Sequence, residues 1–512
     1  MQVDEAKLWR NTGSPSQKGG RFRTRSYARN RGFAAVPRSC GNVHRRSPLP
    51  AKARRAMSRT LFFLPELVGR DAAPASAKES TPSMARRPVI FDVSHLIARL
   101  RARTGTGIDR IDLAYALHFF AEGGASEAVR YGSGPPRLIS VKWALRFTRA
   151  ARGFWTDDAS ARAEALWTWL ESPPSRATKP KLAAPSRNSS SAWGRRLLSW
   201  TGYLIGSALR AVPARAIYLN VGYHRFEQPR FFAWLAKRPD VDGVFMIHDL
   251  LPLDYPEYFE DGETEKFRAR IDTALRYGRA FLVSTEVVGR RLQQEMGARG
   301  FEQRPIWAQP FPSPLAAFTP SLAANRRPAH PYFVVIGTIE PRKNHLLLLN
   351  VWRTLVRHSP NPPRLVIVGE RGWENEQVID ILERCEALAP HVVELSGLAS
   401  RDLAALIAGA RAVLAPSFDE GYGLPIVEAL SLGAPVVASD SPAAREVSQG
   451  RACLLSPVDG ERWRVEIERL ATDDDHYAEQ QARSAEFRAP NWRDYFASLD
   501  QFLAGLRPLG RS

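Results

Sequence analysis

From Tyr332 onward, two hydrophobic patterns alternate. Short, continuously apolar runs (YFVVIGT from Tyr332, RLVIVGE at 364–370, HVVELSG at 391–397, AVLAP from Ala412, PVVASD from Pro435) are separated by stretches with apolar residues at helical spacing: HLLLLNVWRTLVRH, QVIDILERCEAL, SRDLAALIAGA and PIVEALSL. Strands apolar on both faces, joined by amphipathic helices, predict a parallel sheet covered on both sides. An earlier series has the same character. A strand at Val89–Val93 leads into a glycine- and threonine-rich turn, 104–110, and the helical pattern IDLAYALHFFAE. Further strands are predicted at Arg137–Trp143, Ala216–Val221, Gly243–His248 and Ala280–Ser284, with a helix VVGRRLQQEM after the last. The fold class read from this is α/β, with two doubly wound Rossmann-like domains facing a cleft and ligands at the carboxyl ends of the strands.

Breaks in the patterns set the domain boundaries. Residues 1–86 form a basic extension, and 87–312 an amino-terminal domain interrupted by a Pro/Ser/Lys-rich insertion at 172–192. The proline-dense stretch 301–331 contains the linker, 313–331. A carboxyl-terminal domain spans 332–485, and an amphipathic helix at 486–507 is expected to cross back to the first domain. Trp193, Leu197, Trp200, Leu204, Ala208 and Val212 make a helical stripe beside Arg195, Arg196 and Arg210. Packing on the core is the expectation for this stripe, and contact with anionic lipid the competing one.

Composition changes the picture in two places. The net charge of +19 invites a nucleic-acid reading, but residues 1–86 hold 18 Lys+Arg against 5 Asp+Glu, which leaves only +6 for the other 426 residues. That extension has few acids and no apolar period, so it is expected to be disordered. It reads as a targeting peptide, a basic arm, or a start placed upstream of Met84, the last being the expectation carried forward. Three scattered cysteines (Cys40, Cys385, Cys453) argue against a disulfide framework and for a reducing cytoplasm. No apolar run is long enough to cross a bilayer.

Candidate chemistry concentrates after the strand ending at Ala415. The loop SFDEGYG places Asp419 and Glu420 among glycines, and Pro425 suits the first turn of a helix that is apolar except for Glu428. Amide groups and the positive helix end at such a turn suit phosphate oxygens, while carboxylates suit sugar and ribose hydroxyls. Gly421 and Gly423 remove side chains so that a ligand can approach the backbone. By spacing alone, a tight turn with a solvated Glu420 is an equal alternative.

The residues themselves say more. Glu420-Gly421-Tyr422-Gly423-Leu424-Pro425, Glu428-Ala429-Leu430 and Gly433-Ala434-Pro435-Val436-Val437-Ala438 resemble the E-x7-E region of the retaining family-4 glycosyltransferases of GT-B fold. Gly337-Thr338-Ile339-Glu340-Pro341-Arg342-Lys343-Asn344 resembles that family's G-x-x-x-P-R-K-[NG] loop, with Thr338 where many members have a further arginine. Gly105-Thr106-Gly107-Ile108-Asp109-Arg110 resembles the first loop of polysaccharide-assembly members, and His248-Asp249-Leu250 the family's loop at a strand end.

The resemblance implies a retaining, metal-independent hexosyltransferase of the mannosyltransferase-like group, acting in surface polysaccharide biosynthesis. Glu420, His248 and Lys343 are then the catalytic candidates. Glu420 would hold hydroxyls of the transferred sugar and Lys343 the leaving diphosphate. Arg342, Lys343, Gly421, Tyr422, Gly423, Leu424, Glu428 and Gly107 would bind the donor, Glu428 through its ribose. Asp109, Arg110, Asn220, His224 and Asp249 are lesser candidates. No cofactor or metal is expected. The donor, GDP-mannose or a UDP-hexose, is a substrate, and the acceptor is a glycan or a lipid-linked oligosaccharide. The expected place is the cytoplasm, at the membrane face through peripheral contact, and no nucleic-acid partner is expected. The alternatives are a non-catalytic sugar-nucleotide-binding protein and a GT-B epimerase.

Overall fold

The computed structural model describes residues 87–102, 105–121, 127–132, 136–156, 160–173, 198–199, 206–208, 212–318, 328 and 330–506. The basic segment 1–86 and nearly all of the 172–192 insertion lie outside them. Among the described residues two sheets form. The first holds β1 (Val89–Asp92), β2 (Glu127–Arg130), β3 (Arg137–Ile139), β4 (Ser207–Ala208), β5 (Ile217–Asn220), β6 (Asp242–Met246), β7 (Gly278–Val283) and β8 (Ile306–Ala308). Its order is β4-β3-β2-β1-β5-β6-β7-β8, parallel except at the β2–β3 and β3–β4 pairings.

The second sheet holds β9 (Tyr332–Ile336), β10 (Arg364–Val368), β11 (Val392–Leu395), β12 (Ala412–Ala415), β13 (Val436–Ser439) and β14 (Cys453–Leu455). It is parallel throughout in the order β11-β10-β9-β12-β13-β14. Strand order reverses between β9 and β12, and in the first sheet between β1 and β5. In doubly wound sheets a crevice opens at that reversal.

Burial follows the pleat. Phe91, Leu219 and Val244 enter one apolar cluster, and Ile90, Tyr218 and Phe245 the cluster on the opposite face. Fully burying a side chain such as Phe91 stabilises by about 1.5–3 kcal/mol relative to exposure. In the second sheet Val334, Val366 and Val413 share a cluster with the first sheet's Phe91 face, so one apolar core runs through both.

Several elements differ from the sequence expectation. The strand expected over Arg137–Trp143 stops at Ile139; Trp143 and Ala144 donate to the Ser140 carbonyl at 2.9 and 3.1 Å and open a helix, Val141–Thr156, followed by another at Ser160–Glu171. Strand β2 and a short helix, Ser94–Arg99, were not anticipated. The single helix expected over 193–212 is overturned, because Ser207 and Ala208 pair antiparallel with β3 as an edge strand. Within the proline-dense stretch, Ile306–Ala308 adds to the edge of β7.

The helix Trp492–Gly505 lies on the amino-terminal sheet's helix Gly107–Ala121. The Tyr115 and Tyr495 hydroxyls are 2.7 Å apart, and the Tyr115 and Phe496 rings meet edge-on at 5.3 Å. No helix among the described residues is long and apolar enough to cross a membrane.

Candidate active site

Loops from the two strands flanking the reversal in the second sheet are fastened together. After β9 the chain makes a 3-10 turn, Pro341–Lys343, ending at Asn344 in left-handed conformation (φ 53°). The Asn344 amide donates to the carbonyls of Pro416 (3.2 Å) and Pro457 (2.8 Å), and the Phe418 N–H donates to the Arg342 carbonyl at 2.9 Å. After β12, Gly423 takes φ +83° as the N-cap of the helix Leu424–Ser431, with Pro425 in its first turn. A left-handed N-cap of this kind favours glycine.

Charge is concentrated where these loops meet. Arg342 donates to Glu420 at 2.9 Å, to the Asp419 carbonyl at 2.8 Å and to Glu340 at 2.7 Å, and Lys343 donates to the other Glu420 oxygen. Burial by itself would raise the Glu420 carboxyl, but Lys343 and Arg342 hold it at about 2. It is therefore a carboxylate at any working pH. Glu428 is buried in the Leu424–Ser431 helix and accepts from Arg110 of the amino-terminal domain's helix Gly107–Ala121 at 3.2 Å. Burial pushes its carboxyl up, and Arg110 pulls against that.

The amino-terminal side closes over this cluster. Asp109 accepts from His95 (2.8 Å), from Arg99 (2.9 and 3.0 Å) and from the Thr106 N–H (2.8 Å), which fixes the glycine loop. His248 is buried at the end of β6, with its Nε2 2.8 Å from the Val221 carbonyl. That acceptor requires the Nε2–H tautomer, and burial lowers the ring to about 4. His248 is thus neutral near pH 7. Asp249 is pushed up by burial, partly offset by Arg342.

All ten candidate site residues, Gly107, His248, Arg342, Lys343, Glu420, Gly421, Tyr422, Gly423, Leu424 and Glu428, border one cleft of about 680 Å³ between the sheets, within the size range of small-molecule sites. Some sit there for reasons other than those the sequence suggested. A Cβ on Gly421 would lie 2.5 Å from the His248 carbonyl oxygen and 2.6 Å from the Asp249 Cβ, so this glycine admits the opposite domain's backbone. A Cβ on Gly107 would meet Leu424 at 2.9 Å. The Tyr422 ring is buried against Phe311, its hydroxyl donating to the Phe311 carbonyl, so only its main chain is left for a ligand.

Asn220 donates to the buried Asp92 and belongs to the β1–β5 reversal rather than the cleft lining. His224 is likewise absent from the lining, and burial lowers it to about 4. Glu340 and Asn344, the side chains that hold Arg342 and the turn, were missed as positioning residues. Their place in the P-R-K-N loop was the available signal.

This architecture is the GT-B fold. It matches sucrose-phosphate synthase from Thermosynechococcus elongatus with a TM-score of 0.51 over 81% of this chain and 98% of that one, at 14% identity. It also matches the amino-terminal domain of Candida albicans trehalose-6-phosphate phosphatase with a TM-score of 0.53 over 83% and 98%, again at 14% identity. Within that fold, residues 330–473 match the family model for glycosyl transferases group 1.

Among curated relatives, the chain is 30% identical over 235 residues to the serotype-specific mannosyltransferase WbdA of Escherichia coli, covering 42% of this chain and 28% of that protein. It is 36% identical over 143 residues to the O-antigen chain mannosyltransferase B of Escherichia coli, covering 28% and 37%. The chain thus spans well under half the length of either relative.

Proposed function

We propose that the protein is a retaining, metal-independent glycosyltransferase that moves a hexose, mannose in the first instance, from a nucleotide-sugar to a glycan or lipid-linked acceptor in surface polysaccharide assembly. One observation carries the reading: the loops after β9 and β12 bring Lys343, Arg342 and Glu420 together at the strand-order reversal, in a cleft of nucleotide-sugar size. Support for mannose comes from the relatives, which are named as mannosyltransferases.

The chemistry follows from the groups present. The bond from the sugar C1 to the β-phosphate oxygen breaks, and its electron pair goes to the phosphate. Lys343 neutralises that charge, a role that needs no metal. Arg342 holds Glu420 in place, and Glu420 accepts hydrogen bonds from sugar hydroxyls. Main-chain N–H groups of Gly421 to Leu424 face the same ligand, and Glu428 takes the ribose. The acceptor oxygen bonds to C1 on the face the phosphate leaves, and its proton passes to the departing phosphate. Closure of the cleft excludes water meanwhile.

The test is a donor screen with GDP-mannose, UDP-glucose and ADP-glucose, following nucleotide release with and without a mannosylated acceptor. GDP release that requires acceptor, survives EDTA and yields an α-linked product from the α-configured donor is the expected result. Binding without turnover would favour a sugar-nucleotide sensor, and an epimerised free sugar nucleotide an epimerase.

A further inference from the structure

Four cationic side chains border the cleft among the described residues: Arg99, Arg110, Arg342 and Lys343. Their commitments differ. Arg99 is held in both directions by the Asp109 carboxylate, which also fastens the glycine loop. Arg342 has three acceptors, two of them carboxylates. Lys343 rests on the single carboxylate Glu420, and Arg110 on the single carboxylate Glu428. Lys343 shares its carboxylate with Arg342, so the Arg110–Glu428 contact, made across the domains, is the one of these that pairs a single cation with a single carboxylate.

That contact has a consequence for any nucleotide that enters. Glu428 is 2% exposed, and Arg110 is the charged partner that compensates it. Ribose hydroxyls are neutral donors, so a ribose seated on Glu428 supplies hydrogen bonds but leaves the guanidinium in need of an anion. The anion such a ligand brings is its diphosphate, and a planar guanidinium suits phosphate oxygens. Arg110 stands in the first turn of its helix, beside Gly107, and borders the same cleft as Lys343 and Gly421–Leu424.

Resting on the donor-site reading above, we propose that Arg110 is the amino-terminal domain's half of the donor site. Its guanidinium rests on Glu428 and transfers to the diphosphate when a ribose takes its place. The ion pair is exchanged rather than broken, so donor entry and domain closure are coupled through one side chain. Arg110 also supplies the guanidinium that Arg342, committed to Glu340 and Glu420, does not.

The experiment is calorimetric titration of the full chain with GDP, UDP and ADP, and with guanosine, uridine and adenosine, for the wild type, Arg110→Ala and Arg110→Lys. For the diphosphate that binds, Arg110→Ala is expected to weaken affinity about 10–100-fold, the scale of lost charge-assisted hydrogen bonds. Affinity for the matching nucleoside should stay unchanged or rise, because its competitor for Glu428 is gone. Arg110→Lys should recover part of the diphosphate affinity while leaving the nucleoside near the Ala value, a pattern that a folding defect would not give.

A variant that binds diphosphate and nucleoside equally better would make Arg110 a latch only and overturn the transfer. Unchanged diphosphate affinity in Arg110→Ala would overturn it as well. Failure of all three diphosphates to bind the wild type would instead overturn the donor-site reading beneath it.

Discussion

Gly421 carries a constraint imposed from the far side of the cleft. Its missing Cβ leaves room for the His248–Asp249 backbone, and main chain cannot yield as a flexible side chain can. Gly421→Ala should therefore prise the domains apart, costing about 1–3 kcal/mol of stability and most of the turnover. A variant with wild-type melting temperature and rate would contradict the closed geometry. Lys343→Ala should instead leave the fold intact and lower transfer by at least about a hundredfold, the scale of losing one preorganised electrostatic contact. Near-normal nucleotide release in that variant would remove Lys343 from the leaving-group role. His248, lowered to about 4 by burial, stays neutral above about pH 5. The pH profile of kcat/KM between 5 and 9 should show no His248 limb near 6.5, and one that vanishes in His248→Gln would contradict this.

The element that links both halves of the site is the helix Gly107–Ala121. On its inner face Asp112 is fully buried, and burial pushes its carboxyl from 3.8 to about 7, with Asp92 and Asp109 adding and His95 opposing. Because the folded value lies above the unfolded one, the stabilising share of Asp112 is complete below about pH 4 and is lost as pH rises through 7. Asp112→Asn cannot ionise, so its melting temperature should fall less than that of the wild type between pH 5 and 8. The energy at stake is at most roughly 4 kcal/mol. A parallel decline in both proteins would place the pH response elsewhere.

Legibility also varied by element. The second sheet could be read because runs such as YFVVI and RLVIV are apolar on both faces and long enough to exclude loops. Strand β3 has only Arg137, Leu138 and Ile139, and the helix after it opens with β-branched Val141, so the period could not separate the two. Strand β4 has two residues and carries no pattern. The motif residues line one cleft, but the Arg110–Glu428 pair joins positions 318 apart and belongs to no local signal. The same holds for the role of Gly421, which depends on a neighbour more than 170 residues earlier.

At the scale of the whole molecule, contacts hold the cleft from several sides. The Glu446 carboxylate accepts from the N–H groups of Glu286 (2.7 Å) and Val287 (3.1 Å), so the carboxyl-terminal domain caps a helix, Glu286–Ala298, of the other. The Trp373 indole donates to the Tyr258 carbonyl at 3.0 Å, and Tyr258 stacks on Phe418. Arg364 reaches back to the carbonyls of Trp169 and Ser172. Glu446→Ala removes a carboxylate from a helix N-terminus, a loss of about 0.5–2 kcal/mol. Small-angle scattering of the ligand-free variant should give a larger radius of gyration than the wild type, and an unchanged radius would assign closure to the other contacts.

The aromatic seam between Tyr115 and the Trp492–Gly505 helix imposes an order on synthesis. The Tyr495 and Phe496 rings that cover Tyr115 are made about 380 residues after it. At roughly 5–20 residues per second that delay is on the order of 20–75 s. For that interval the nascent first domain presents an uncovered aromatic surface, an invitation to chaperones and a hazard of misassociation. The last helix therefore serves as the closing stitch of the first domain, and translation speed in the second half of the message sets how long that domain waits for it.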